Sequence, residues 1–209
     1  LGVQQGREEV QTGQPEASRT VGELVDGAMV AQSFTAEHGG LTGIAVYLGT
    51  YQRENEGELV FRLDGPQSSE AITRTVVMAR LEDKAYEAFE FPSIRHSAGQ
   101  RFTFTLKSPG AEPGEAVTVW GAEEDVYPDG EAMLTGLYRG KEVADLTFRL
   151  TYEPPLFERA DLFVERVAAG KPSLWGDRSL YVVLGGAYVV LVYALFVSGV
   201  GKDEAEEGE

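Results

Sequence analysis

The sequence predicts an all-β fold, a two-sheet antiparallel β-sandwich, followed by an amphipathic helix and one C-terminal transmembrane helix. Three observations carry this reading. Between Val21 and Tyr152, short runs of alternating apolar and polar residues recur between clusters of Gly, Pro, Asp and Asn, and none holds a helical period for long. The 25 glycines of the chain supply the turns that many short strands need. Residues 180–200 read LYVVLGGAYVVLVYALFVSGV without a single charge.

Taken in order, residues 1–20 (LGVQQGREEVQTGQPEASRT) keep no apolar period and are rich in Gln, Glu and Gly, so they read as an extended arm or linker. Residues 21–153 form the sandwich domain. Its clearest strands are 101–107, where Phe102, Phe104 and Leu106 share a face, and 145–152, where Leu146, Phe148, Leu150 and Tyr152 do. Weaker alternation marks 30–36, 41–49, 58–63, 71–79, 86–91 and 116–121, which makes eight strands in all. Eight strands with loops such as GTYQRENEG and GAEEDVYPDG suit a jelly-roll-like sandwich better than a small closed barrel.

Pro154 and Pro155 end the last strand, and Phe157, Ala160, Val164, Val167 and Ala168 then fall at helical spacing. Residues 154–178 are therefore expected to be a juxtamembrane amphipathic segment, with its helix over 156–169. The span follows at 179–201, because Leu180 to Val200 at about 1.5 Å per residue reaches roughly 31 Å, the thickness of a hydrocarbon core. Trp175 and Tyr181 stand where an interfacial aromatic belt falls. Within the span, Gly185, Gly186 and Ala187 make a small-residue patch for close packing by another helix.

The tail 202–209 is acidic. Arg166, Lys171 and Arg178 precede the span and only Lys202 follows it, which by cation count alone puts the N-terminal side in the cytoplasm. A folded domain translocates largely regardless of charge behind a signal, however, and a chain that starts at Leu1 rather than Met is expected to have lost one. The expected arrangement is a single-pass protein of the cell membrane, with its β domain extracytoplasmic and its tail cytoplasmic.

A net charge of -16 opposes nucleic-acid binding, which draws its affinity from Lys and Arg displacing counterions. It also repels anionic headgroups, so attachment to a membrane must come from apolar burial. The absence of cysteine removes disulfides, thiol nucleophiles and thiolate metal sites. His38 and His96 are 58 positions apart and lack the spacing of a helical zinc pair. Glu123, Glu124, Asp125 and Asp129 offer hard oxygens for Ca²⁺ without an EF-hand spacing, and a solvated acidic loop is the simpler reading. There is no Gly-X-Ser-X-Gly and no phosphate loop opening a helix. A glycosidase carboxylate pair, held roughly 5 to 9.5 Å apart, cannot be picked out of 34 acidic residues. No enzyme, no catalytic residue, no metal site and no cofactor is expected.

The segments Gln32-Ser-Phe-Thr-Ala36, Leu41-Thr-Gly-Ile-Ala-Val-Tyr-Leu48, Phe89-Glu-Phe-Pro92, Ser97-Ala-Gly-Gln-Arg-Phe-Thr-Phe104, Val126-Tyr-Pro-Asp-Gly130 and Asp145-Leu-Thr-Phe148 carry a resemblance. Across residues 22 to 152 the chain resembles bacterial extracytoplasmic jelly-roll domains of the galactose-binding-like type. Such domains bind carbohydrate or act as rigid spacers, and the resemblance implies the fold more than a ligand.

Sugar recognition needs an aromatic face for the apolar side of a pyranose and planar polar groups for its hydroxyls. Tyr51, Arg53, Asn55, Trp120 and Tyr127 have those types near loops. Each also has a plainer reading: Trp120 as core, and Tyr51, Arg53 and Asn55 as an exposed hairpin. The function expected is therefore a non-enzymatic accessory or structural subunit of a larger membrane complex, with other membrane subunits as partners through the helix. A membrane-anchored module for glycans or envelope polymers is the alternative.

Overall fold

The computed structural model describes residues 10–66, 71–137, 142–153, 183–184 and 186–194. The chain divides into two compact units, Leu1–Pro155 and Leu156–Glu209, and the first is an all-β sandwich of two antiparallel sheets. Its strands are β1 (Val10–Gln14), β2 (Arg19–Glu23), β3 (Met29–Thr35), β4 (Leu41–Gly49), β5 (Glu58–Asp64), β6 (Ile72–Val77), β7 (Ala85–Ile94), β8 (Arg101–Lys107), β9 (Thr118–Ala122), β10 (Ala132–Thr135), β11 (Asp145–Leu146) and β12 (Phe148–Tyr152). A single 3-10 turn, Met78–Arg80, follows β6.

The smaller sheet runs β10-β3-β8-β5-β6. Strand β8 lies at its centre because alternation gives it one wholly apolar face: Phe102, Phe104 and Leu106 are buried, and they meet Phe34, Gln32 and Val30 of β3 in register. On the other side Phe104 faces Leu63 and Leu106 faces Phe61 of β5. The larger sheet is organised on β4, which pairs along Leu41–Leu48 with β7 and along Leu41–Val46 with β12; β12 in turn holds β1. Ile44, Val46 and Leu48 of β4, Phe89 of β7 and Phe148, Leu150 and Tyr152 of β12 point into the same core.

Aromatic rings tie the sheets together. Phe61 of β5 stacks on Phe89 of β7 with centroids 4.3 Å apart and planes 9° from parallel. Phe104 of β8 meets Phe148 of β12 edge to face at 5.6 Å. Such pairs add about 0.5 to 1.5 kcal/mol each to the burial of their area.

Several elements differ from the sequence reading. Part of the expected arm is structured: β1 lies on β12 over Val10↔Tyr152 to Gln14↔Phe148, and β2 begins at Arg19 and pairs with β9. An edge strand is held by main-chain bonds, so VQTGQ needs no apolar alternation to join. Gly13 is required there: its φ is +125°, and a Cβ would stand 2.6 Å from the Phe148 carbonyl oxygen. The short β10 was hidden in a loop-like stretch. The run 145–152 is divided at Thr147, whose N–H bonds the Trp120 carbonyl at 2.8 Å and whose hydroxyl bonds that of Glu16. The strand expected over 71–79 stops at Val77, where the 3-10 turn begins.

In the second unit, Val183, Leu184 and residues 186–194 are helical and exposed. Among the described residues no helix is long and apolar enough to cross a membrane. The expected amphipathic segment 154–178, the acidic tail, Gly185 and the remainder of 179–201 lie outside the described residues.

Candidate functional site

The turn after β4 gathers three of the five residues expected to hold a sugar. Tyr51 and Gln52 both have φ of +58°, a left-handed pair that reverses the chain and leaves the Tyr51 ring 42% exposed. The Arg53 guanidinium lies 4.9 Å from that ring's centre. Two of its nitrogens are bonded inside the protein: Nε donates to Asn55 Oδ1 at 3.0 Å, and Nη2 donates to the Ala116 carbonyl at 3.0 Å and to the Glu23 carboxylate. Asn55 is wholly buried, and its Nδ2 donates to the Thr50 carbonyl at 3.2 Å. Glu23 also accepts the Gly114 N–H at 3.1 Å. Arg53 and Asn55 thus fasten the turn to β2 and to the loop before β9, and of the three Tyr51 is the most exposed.

Tyr127 stands elsewhere, in the core. It is 8% exposed, its ring meets Phe148 edge to face at 5.3 Å, and its hydroxyl donates to the Thr35 carbonyl at 3.3 Å. Burial pushes the Tyr127 phenol up to about 12, with the neighbouring Tyr152, Glu37 and Asp129 acting the same way. The Tyr152 phenol is raised too, chiefly by burial.

Trp120 belongs to a third place, the outer face of the larger sheet. Alternation sends Val119 into the core and Trp120 outward, where Tyr47 of β4 lies 6.1 Å away and Tyr86 of β7 lies 4.9 Å beyond Tyr47. The Arg149 guanidinium sits 3.9 Å over Tyr86 and the Lys84 ammonium 6.0 Å from Trp120. The indole Nε1 is enclosed without a hydrogen-bond partner in the structure.

The same outer face continues along β4 away from these rings. With Ile44 and Val46 pointing inward, Gly43 and Ala45 point out, and the register sets Glu90 of β7 and Thr151 of β12 beside Gly43, with Gln11 of β1 beyond Thr151. Ala88 and Arg149 flank Ala45 in the next row. Sequence reading missed this surface because its members come from four strands distant in the chain. The alternation of Gly43, Ala45 and Tyr47 was the only signal of an outward face.

His38 packs edge-on against Tyr152 at 5.4 Å, and His96 is exposed. Glu123, Glu124, Asp125 and Asp129 are exposed, with Glu123 paired to Arg19. Among the described residues no three His, Cys, Asp or Glu side chains converge as a metal site would require. Of the expected helix-packing residues, Gly186 and Ala187 are helical, and a Cβ on Gly186 would have nothing within 4 Å. Compared with known proteins, the chain matches no protein-family model and no curated protein.

Proposed function

We propose that this chain is a non-enzymatic, single-pass membrane protein whose jelly-roll-like sandwich, of the galactose-binding-like type, works outside the cytoplasm as an accessory subunit of a larger membrane assembly. The observation that carries the reading is the helical stretch in the second unit. Val183, Tyr188, Val189, Val190 and Tyr193 are each 65 to 68% exposed, an apolar surface that water does not favour and that lipid or a partner helix covers. The uncharged run from Leu180 to Val200 around it has the length of a span. The test is release: a chain ending at Gly170 should appear in the soluble fraction after lysis, whereas the full chain should need detergent. Membrane retention of the shortened chain after a high-salt wash would remove the anchor from the proposal.

A second reading, a membrane-anchored module for a glycan or envelope polymer, is favoured by the outer face of the larger sheet. Half-buried rings and hydrogen-bonding side chains share that face, the two components that sugar recognition requires. The turn holding Tyr51, Arg53 and Asn55 supports it less, because two of those three side chains are occupied within the protein.

A further inference from the structure

We infer that two copies of the chain pair through the outer face of the larger sheet, about a two-fold axis that crosses β4 and β7 at Ala45 and Ala88. The inference goes beyond the accessory-subunit reading, and it gives to a copy of the chain the face on which the glycan reading rests.

The register makes this face self-complementary. Ala45 and Ala88 stand opposite each other on β4 and β7, with the row Gly43–Glu90 two residues to one side and the row Tyr47–Tyr86 two residues to the other. Strands β12 and then β9 share the second edge of β4, so Thr151 extends the first row beside Gly43, and Trp120 extends the second, 6.1 Å from Tyr47. The second row is a ridge of three half-buried rings, topped by the Arg149 guanidinium 3.9 Å over Tyr86. The first row and the two alanines line a groove of 570 Å³. A two-fold axis lying in the face along the alanine row exchanges ridge and groove. It sets Tyr47 of each copy over Gly43 of the other, Trp120 over Thr151, and Tyr86 with its Arg149 over Glu90.

Charge and size agree with that placement. The net charge of -16 makes two copies repel, but at physiological ionic strength exposed charges act within about 8 Å, which leaves the balance to the groups that face each other. Those are the Glu90 carboxylate and the Arg149 guanidinium, one pair on each side of the axis. Among the described residues neither is ion-paired within its own chain. Sheets packed face to face cross at about 30°, so rows about 7 Å from the axis stay within one strand spacing of their counterparts. The face is about 30 Å long on the nine residues of β4 and about 19 Å wide over four strands, which buries roughly 1,100 Å² for the pair, just above the about 1,000 Å² that a specific interface needs. An unrelated partner would have to bring its own ridge, groove and charges at these spacings. A second copy has them by symmetry.

The chain has no cysteine, so a single introduced thiol reports on a single position. The experiment follows the full chain in detergent micelles by analytical ultracentrifugation from low to high micromolar concentration, and treats Ala88→Cys, in the two-fold row, with a short bis-maleimide. Val77→Cys, exposed on β6 of the other sheet, is the comparison. A reversible dimer is expected, with Ala88→Cys linked to its own copy and Val77→Cys left unlinked. Gly43→Leu fills the groove and should weaken the dimer about tenfold or more. The Gly43 φ is not in the left-handed region, and an added Cβ would meet its nearest neighbour, the Phe89 carbonyl oxygen, at an ordinary 3.6 Å, so this variant should keep the melting temperature of the parent. If it does not, Ala88→Arg, at an exposed position, serves instead with the same expectation. Glu90→Arg should also weaken the dimer, and adding Arg149→Glu should recover most of that loss, which damage to the fold alone would not. A chain that stays monomeric throughout the concentration range overturns the inference. So does a dimer that resists Gly43→Leu and Ala88→Arg but is lost in Gly186→Leu, which lies on the helix, and so does an Ala88→Cys chain linked to a different protein.

Discussion

Gln32, in the middle of β3, donates from Nε2 to Asp145 Oδ1 at 3.1 Å, and this contact joins the two sheets through the fully buried centre of the sandwich. Gln32 Oε1 accepts the Leu146 N–H at 2.7 Å in return, while Asp145 Oδ2 accepts the N–H groups of Val126 and Tyr127 at 3.0 Å each. A buried acceptor serving three donors cannot be removed without orphaning all of them. Asp145→Ala is expected to cost about 3 to 5 kcal/mol, and Asp145→Asn, which turns one acceptor into a donor, about 1 to 3. Urea unfolding of the sandwich followed by tryptophan fluorescence checks both. Equal stability of the Ala variant would mean that these bonds do not hold the sheets in register.

The turn after β4 should separate by role. Arg53→Ala leaves the Glu23 carboxylate, which is largely buried, without its cation and frees the Ala116 carbonyl, so a loss of about 1.5 to 3 kcal/mol is expected. Tyr51→Ala removes an exposed ring and should stay within about 0.5 kcal/mol of the parent. Thermal melts of the two variants decide the matter, and the reverse order would mean that the turn is braced through the Tyr51 ring.

Alkaline stability should follow the buried phenols. Below pH 10 Tyr127 is protonated in both states; above it the unfolded chain loses the proton while the folded chain keeps it up to about 12. The folded state then binds more protons, so stability falls as pH rises across this window, by about 2 to 3 kcal/mol from Tyr127 alone. Tyr152 acts in the same direction. Tyr127→Phe, which at neutral pH loses only the bond to Thr35, should flatten the decline between pH 10 and 12. A decline of unchanged steepness would place its cause in other groups.

Gly186 tests the accessory-subunit reading. With no atom within 4 Å of a Cβ placed there, Gly186→Leu should leave the helix intact while holding a partner helix away. Membrane fractionation should be unchanged, and co-purification of other membrane subunits after mild detergent extraction should fall. Unchanged partners at unchanged yield would favour a freestanding module.

The strands legible in the sequence were those with strict alternation. Phe102, Phe104 and Leu106 of β8 and Phe148 and Leu150 of β12 declare a buried face by period alone, and the structure buries them all. Strands β1, β2 and β10 were not legible, since main-chain pairing to a neighbour fixed them and main-chain groups are the same at every residue. The dispersal of the five expected sugar-binding residues was not legible for a related reason. Residue type identified Arg53, Asn55 and Tyr127 as able to bind, but whether their polar atoms were already spent depends on Glu23, Ala116, Thr50 and Thr35, positions far apart in sequence or given no role beforehand.

The sequence by itself determined an all-β sandwich and the inward residues of its central strands, because burial imposes a period that one chain segment displays alone. Only the tertiary structure decided which polar groups are consumed and which face water, and it alone brought Gln11, Gly43, Glu90 and Thr151 into one row. A row across a sheet is made by the register between strands, and register follows from the summed packing of the whole core rather than from any one strand.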